Sequence, residues 1–175
     1  MAQGTTHVSK RVVVVSGGFD PLHVGHVRMF EEARKLGDRL VVILNNDNWL
    51  RKKKGFVFMP QRERKELIKA FASVDEVVLT KHSRNPKDMS VCQALESLRP
   101  DIFANGGDRT VQDAANQTSS LNADVELCKK LGVTIMYNVG RGGKVQSSSW
   151  LLAAFRDNAP CFCGSGKKFK RCHGQ

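Results

Sequence analysis

Two histidines, His23 and His26, sit three residues apart in the segment Gly17-Gly18-Phe19-Asp20-Pro21-Leu22-His23-Val24-Gly25-His26. An apolar run from Val12 to Val15 ends just before it. An amphipathic pattern begins just after it, with Val27, Phe30, Ala33 and Leu36 set against Arg28, Glu31, Glu32, Arg34 and Lys35. The glycines and histidines therefore fall at the turn from a first strand into a first helix, where backbone N–H groups and the helix dipole receive anions. Gly17 and Gly18 are read as bending the backbone and letting a phosphate approach without meeting a Cβ. At this spacing both imidazoles reach one side of the helix start. From there they can donate hydrogen bonds to a polyphosphate as charge moves onto its oxygens. Surface histidines on a Gly-rich loop, or a His-x2-His metal chelate, are the competing readings. The agreement of strand, glycines, turn and helix favours the anion site.

Two further clusters carry chemistry. Ser147, Ser148 and Ser149 stand before a helix pattern, where hydroxyls cap the backbone and the same groups can hold phosphates. Near the end, Cys161, Cys163, Cys172 and His173 fall within 13 residues, a set that can close one tetrahedral zinc site. A segment this small has almost no core, so a metal would supply its folding free energy. A disulfide or free thiols are the alternatives, and a reducing compartment disfavours the first. Cys92 and Cys128 lie outside this cluster and read as packing residues.

The elements that must position these groups alternate between strand and helix. Strands are predicted at Arg11–Ser16, Arg39–Leu44, Glu76–Thr80, Asp101–Ala104 and Val133–Tyr137. Helices are predicted at Val24–Leu36, Gln61–Ala72, Met89–Leu98, Leu121–Leu131 and Ser148–Arg156. The basic run Arg51-Lys52-Lys53-Lys54-Gly55 has a solvated charged loop as its bland reading, but its place between the second strand and the Pro60 helix favours a phosphate contact. The polar stretch from Asn105 to Ser120 reads as a loop at the carboxyl end of the fourth strand, where ligand sites cluster. This is the pattern of an α/β fold, a Rossmann-like parallel five-stranded sheet with helices on both faces. A small zinc-binding tail follows it. Residues 1–10 are expected to be a flexible N-terminus, 11–157 the main domain and 158–175 the tail, since Asn158-Ala159-Pro160 breaks the last helix. The tail adds no group that the phosphate site lacks, so it is expected to be separable.

Composition bounds the partners. The chain has 175 residues and 41% hydrophobic content, enough for one packed core. No run of 18 apolar residues suggests a membrane span. Met1 to Lys10 holds no apolar signal core, so a cytoplasmic location without membrane partners is expected. Lys and Arg number 28 against 17 acidic residues, a net charge of +11. Such a balance suits nucleic acid, or equally an enzyme of polyphosphate substrates. The lack of an aromatic RNA-binding platform favours the latter.

The segment Gly-x-Phe-Asp-x-x-His-x-Gly-His resembles the signature of the cytidylyltransferase-like nucleotidyltransferases. This group includes glycerol-3-phosphate and choline-phosphate cytidylyltransferases and the adenylyltransferase of heptose-phosphate activation. The resemblance runs on through Ala33–Asp38, Leu40–Val42, Pro60 with Arg64–Leu67, Val74–Val78, Pro100–Phe103 with Gly106-Gly107-Asp108, and Ser147–Ser149. It implies transfer of CMP, or less favoured AMP, from CTP or ATP to a small phosphorylated acceptor (an alditol, sugar or amino-alcohol phosphate), with release of pyrophosphate and Mg²⁺ as cofactor. It implies that His23, His26 and Lys54 are catalytic, Lys53 being the near rival of Lys54. Gly17, Gly18, Phe19, Asp20, Gly25, Arg64, Gly107, Asp108, Ser147, Ser148 and Ser149 would bind the nucleotide. Asn45, Asn46 and Asp47 are candidates for the acceptor pocket, with a turn role as the alternative for Asp47. Gly142, not Arg141, aligns with an arginine of the cytidylyl branch. A homodimer is the expected assembly.

The tail, Cys-x-Cys-x8-Cys-His, resembles the SEC-C motif that ends bacterial SecA, a zinc-binding docking module. Lys167, Lys168, Lys170 and Arg171 make it basic, so an acidic protein or ribosomal partner is expected. The alternative for the whole chain is a non-catalytic nucleotide-binding protein that docks to ribosome or nucleic acid through this tail.

Overall fold

A computed structural model of the chain describes residues 10–106, 111–116, 119–142, 146–153, 160–161 and 163–172. Its centre is the continuous apolar run of the first strand. β1 (Val12–Gly17) lies in the middle of a sheet with β2 (Arg39–Leu44), β3 (Glu76–Leu79), β4 (Ile102–Gly106) and β5 (Thr134–Val139). The order is β3-β2-β1-β4-β5 and every pairing is parallel. Successive side chains of β1 point to opposite faces, and both faces are covered, so Val13, Val14 and Val15 are all fully buried. Val13 and Val15 join Leu40, Val42 and Leu44 beneath Phe30 and Ala33 of α1 (Val24–Arg34) and Ile68 of α3 (Gln61–Lys69). Val14, Val41, Ile43 and Phe103 face Leu95 of α4 (Cys92–Leu98) and Val125 and Cys128 of α6 (Ser120–Leu131). The Rossmann-like expectation holds. Among the described residues no helix is long and apolar enough to cross a membrane.

This topology dictates where a ligand can sit. The chain builds outward from β1 to β3, then returns to the other side of β1 for β4 and β5. The connections leaving β1 and β4 therefore diverge and open a crevice at their carboxyl ends. Gly17-Gly18 and Asn105-Gly106 lie there.

Three local readings of the sequence need correction. The basic run is not a loop: Arg51–Lys54 is the last turn of α2 (Asp47–Lys54). The Asn46 side chain accepts from Trp49 N at its start, and Gly55 ends it in a left-handed conformation, φ 81°. Four cations at the carboxyl end of a helix complement its dipole. The stretch from Asn105 is not all loop either, since β4 runs to Gly106 and α5 spans Val111–Ala115. Finally, α4 begins at Cys92 rather than Met89. The backbone before it is committed elsewhere, with Met89 O accepting from Trp49 Nε1 (2.8 Å) and Val91 N donating to Asp124 (2.8 Å). α7 spans Ser148–Ala153. The remainder of the helix expected to Arg156 lies outside the described residues.

The tail is not detached from the domain. Cys161 N donates to Lys167 O (2.7 Å), a bridge pairs Pro160 with Lys168, and a 3-10 turn spans Phe169–Arg171. Phe169 is then buried against Phe56, Leu152 and Cys161. Burial of one such ring is worth about 1.5–3 kcal/mol toward seating the tail on the domain.

Candidate active site

The start of α1 fixes both histidines through the backbone. His23 is the N-cap, and its Nδ1 accepts from Gly25 N at 3.1 Å. His23 N in turn donates to Nδ1 of His26 at 3.3 Å. A neutral imidazole has one acceptor nitrogen and one donor. With each Nδ1 occupied as an acceptor, the proton of each ring resides on Nε2. The rings stack with centroids 3.7 Å apart, and Phe19 meets His26 edge-on at 4.9 Å. Burial first, then the Lys54 ammonium, holds His23 below its ordinary value of 6.5. Burial, followed by His23 and Lys54, pushes His26 down to about 3. Both rings are thus neutral Nε2–H donors at pH 7.

The depressed values make a prediction about acid stability. A His26 that titrates at about 3 when folded and near 6.5 when unfolded contributes stability that is complete above pH 6.5. That stability is lost as pH falls toward 3, because the unfolded chain takes up the proton first. Melting temperature should therefore fall more steeply from pH 7 to pH 4 in the wild-type chain than in His26→Ala. Equal slopes would remove His26 from the acid response.

These histidines line a cavity of about 330 Å³ at the crevice between β1 and β4. Gly17, Gly18, Phe19 and Gly25 line it too, as do Ser147 and Ser148 before and at the start of α7. Ser148 Oγ donates to Pro21 O at 2.9 Å and ties α7 to the histidine segment. Ser149 reaches Ser147 Oγ with its own hydroxyl (3.0 Å) but is not part of the wall. Gly107 and Asp108 lie outside the described residues. The glycines also answer to their neighbours. A Cβ at Gly17 would stand 2.8 Å from the Phe19 ring, and one at Gly18 would stand 2.8 Å from Leu50. Both are small because of neighbouring side chains.

Lys54 is the lysine of the run that turns inward. Its Nζ donates to Asp20 O at 2.7 Å, close enough to both histidines to lower them. Lys52 instead reaches Asn85 (2.8 Å) and Lys53 is exposed. Asp20 and Arg64 do not line the cavity and act as fasteners of the site. The buried Asp20 carboxylate accepts from Phe58 N (2.9 Å) and Met59 N (2.6 Å). Arg64 is fully buried. Its Nε donates to Met59 O, its Nη1 to Gly18 O and Asn45 O, and its Nη2 to Asp47. Those bonds use four of the five guanidinium protons. Asp47 also bonds Gln61 in both directions (2.8 and 2.9 Å), and Asn46 caps α2. Neither lines the cavity.

Asn45 does line it, opposite Asn105 across the end of β1. Asn45 Oδ1 and Asn105 Nδ2 are both buried without a hydrogen-bond partner. Unpaired buried amides are costly, and here they face a space that a polar ligand would fill. Asn105, Trp49, Asp124 and Arg141 are wall residues that the sequence reading missed. Arg141 had a usable signal, a cation in the Gly-rich loop after the last strand. It sits at the rim, paired with Glu31 and, at 3.2 Å, with Glu32 of α1.

The arrangement offers two Nε2–H donors and serine hydroxyls in the cavity wall at a parallel sheet's switch point, with Lys54 outside the wall but near enough to act on both rings. That is a site for a polyphosphate at which charge develops. The profile of the cytidylyltransferase-like family matches residues 14–139. The chain belongs to the cytidylyltransferase-like family. This cytidylyltransferase-like chain is 36% identical over 120 residues to the FAD synthase of Pyrococcus horikoshii, a match covering 67% of this chain and 78% of that protein. It is 41% identical over 104 residues to the bifunctional protein HldE of Koribacter versatilis, covering 58% of this chain and 20% of the relative. The match thus spans about a fifth of that HldE protein's length. Among solved structures, the lipopolysaccharide core biosynthesis protein of Thermoplasma volcanium superposes with a TM-score of 0.55 at 28% identity, covering 74% of this chain and 94% of the other. Residues 158–175 match the SEC-C motif. There the Sγ atoms of Cys161, Cys163 and Cys172 lie within 4.8 Å of one another. Hydrogen bonds from Ser165 help pull the Cys163 thiol down to about 6, and a thiolate is the form that ligates metal. His173 lies outside the described residues.

Proposed function

We propose that the chain transfers a nucleoside monophosphate from a nucleoside triphosphate to a small phosphorylated acceptor. A phosphate oxygen of the acceptor attacks the α-phosphorus, the bond from α-phosphorus to the bridging oxygen breaks, and pyrophosphate leaves with that electron pair. The observation that carries this reading is the pair of neutral Nε2–H imidazoles fixed by backbone donors in the cavity wall. The nucleophile is a phosphate already ionised at neutral pH, so the site needs positioning and charge stabilisation rather than a general base. His23 and His26 donate to the α-phosphoryl and departing pyrophosphate. Lys54 supplies positive charge, and Ser147 and Ser148 hold the outer phosphates.

The only carboxylate in the described cavity wall is Asp124, which lies among Trp49, Val91 and Leu121. Mg²⁺ would therefore be held by the triphosphate oxygens, and its charge would neutralise them. Three clustered thiols fit zinc in the tail, with His173 as the fourth ligand.

The donor we favour is ATP rather than the CTP that the motif first suggests. FAD is AMP joined to the phosphate of a ribityl flavin, so a FAD synthase makes an adenylyl product from an alditol phosphate. That chemistry agrees with the acceptor class expected here. A thermal-shift screen of ATP, CTP, GTP and UTP with Mg²⁺ should single out ATP, since a ligand of the folded state raises the melting temperature. Pyrophosphate release should then follow on adding alditol and sugar phosphates. A shift with CTP alone would return the donor to CTP. No shift with any of the four would refute nucleotidyl transfer.

A further inference from the structure

The third apolar cluster of the described residues joins three segments that are distant in sequence. Phe169 of the tail, Phe56 after α2 and Leu152 of α7 are respectively 3%, 7% and 5% exposed. The two aromatic rings meet edge-to-face, with centroids 5.9 Å apart. Each domain residue in this cluster is close in sequence to a group of the candidate site. Phe56 lies two residues beyond Lys54, past the left-handed Gly55. The strap from Lys54 to Met59 is pinned to Asp20 at both ends, by Lys54 Nζ on its carbonyl and by the N–H groups of Phe58 and Met59 on its carboxylate. Phe56 is the apolar apex between those pins. Leu152 sits on the short helix whose first residue, Ser148, lines the cavity and bonds Pro21.

We infer that Phe169 is a positioning residue for nucleotide binding: it wedges the Lys54–Met59 strap against α7 and so holds Lys54 at its working position. The wedge is made by the tail itself. Phe169 opens the 3-10 turn that ends next to Cys172, and Cys161 packs in the same cluster. A tail closed through its three thiols thus presents the ring to Phe56. This departs from the separable tail that the sequence suggested. It rests on the nucleotidyl-transfer reading.

The test measures MgATP binding to the full chain by calorimetry, which needs no acceptor. Phe169→Ala should weaken binding about tenfold, the lower end of what one hydrogen bond to a charged group supplies. Phe169→Leu, which keeps apolar volume, should recover most of it. Because the effect runs through the lysine, adding Phe169→Ala to Lys54→Ala should change affinity by no more than about twofold, the scatter of independent sites. Wild-type affinity in Phe169→Ala, or a full tenfold loss that persists without Lys54, would overturn the inference while leaving the nucleotide site in place. Failure of the wild-type chain to bind any nucleoside triphosphate would remove both readings together.

Discussion

His26→Ala should lower kcat by about two to three orders of magnitude, the usual loss when one preorganised donor to a developing charge is removed. The reason is specific to this ring. Its Nδ1 is occupied by His23 N, burial and then its neighbours hold it neutral, and its Nε2–H therefore needs no proton rearrangement to meet an oxygen. His26→Gln sets an amide N–H near the Nε2 position and should retain more activity than His26→Ala. Pyrophosphate release with the donor and acceptor found in the screen measures both, and far-UV circular dichroism checks the fold. Turnover within a few-fold of wild type in folded His26→Ala would take this ring out of the chemistry.

Arg64→Ala should act on stability instead. It takes the guanidinium donors from the carbonyls of Gly18, Asn45 and Met59 and leaves the Asp47 carboxylate with Gln61 N but without its cation. Removing one partner of a buried ion pair costs about 3–5 kcal/mol. Asp47 is 20% exposed, so the lower end applies. Urea unfolding should show a lower midpoint at nearly unchanged slope. Arg64→Lys should not rescue it, since a point-like ammonium cannot span the acceptors that a planar fork reaches. If Arg64 were a phosphate ligand, the variants would keep their urea midpoint and lose nucleotide affinity. The two roles are therefore separable in one preparation.

The contrast between these residues shows what the sequence can carry. The strand, turn and helix around His23 and His26 were legible because period, glycines and spacing all agree there, and the five strands followed from similar runs. Arg64 was read as a phosphate ligand, whereas in the structure four of its protons meet protein acceptors. A helix-start arginine looks the same in sequence whether its fork meets a phosphate or three carbonyls. α2 carried its own signals, Asn46 before it and Gly55 after it, but four consecutive cations leave no apolar period by which to recognise a helix. Asn105 was legible only as the start of a polar stretch at a strand's carboxyl end, because its significance is a buried amide facing Asn45 across β1, a relation that exists only once the sheet is formed. The docked tail did have a signal. Phe169 is an apolar residue inside a run of cations, and solvent-facing basic segments have no use for a large ring.

The way Gly17, Phe19 and His26 interlock has a consequence for how this site can change. The ring of Phe19 occupies the space that a Cβ on Gly17 would take, at 2.8 Å, and Phe19 reaches that place from a left-handed backbone, φ 50°. The same ring borders His26, and a Cβ on Gly25 would crowd the His23 imidazole at 3.0 Å. Substitution at any one of these positions moves its neighbour before it meets a substrate. In a saturation library the motif should behave as one epistatic block. Most single changes would be inactive, and the rare tolerated ones would occur in pairs that exchange volume, such as a larger residue at 17 with a smaller one at 19.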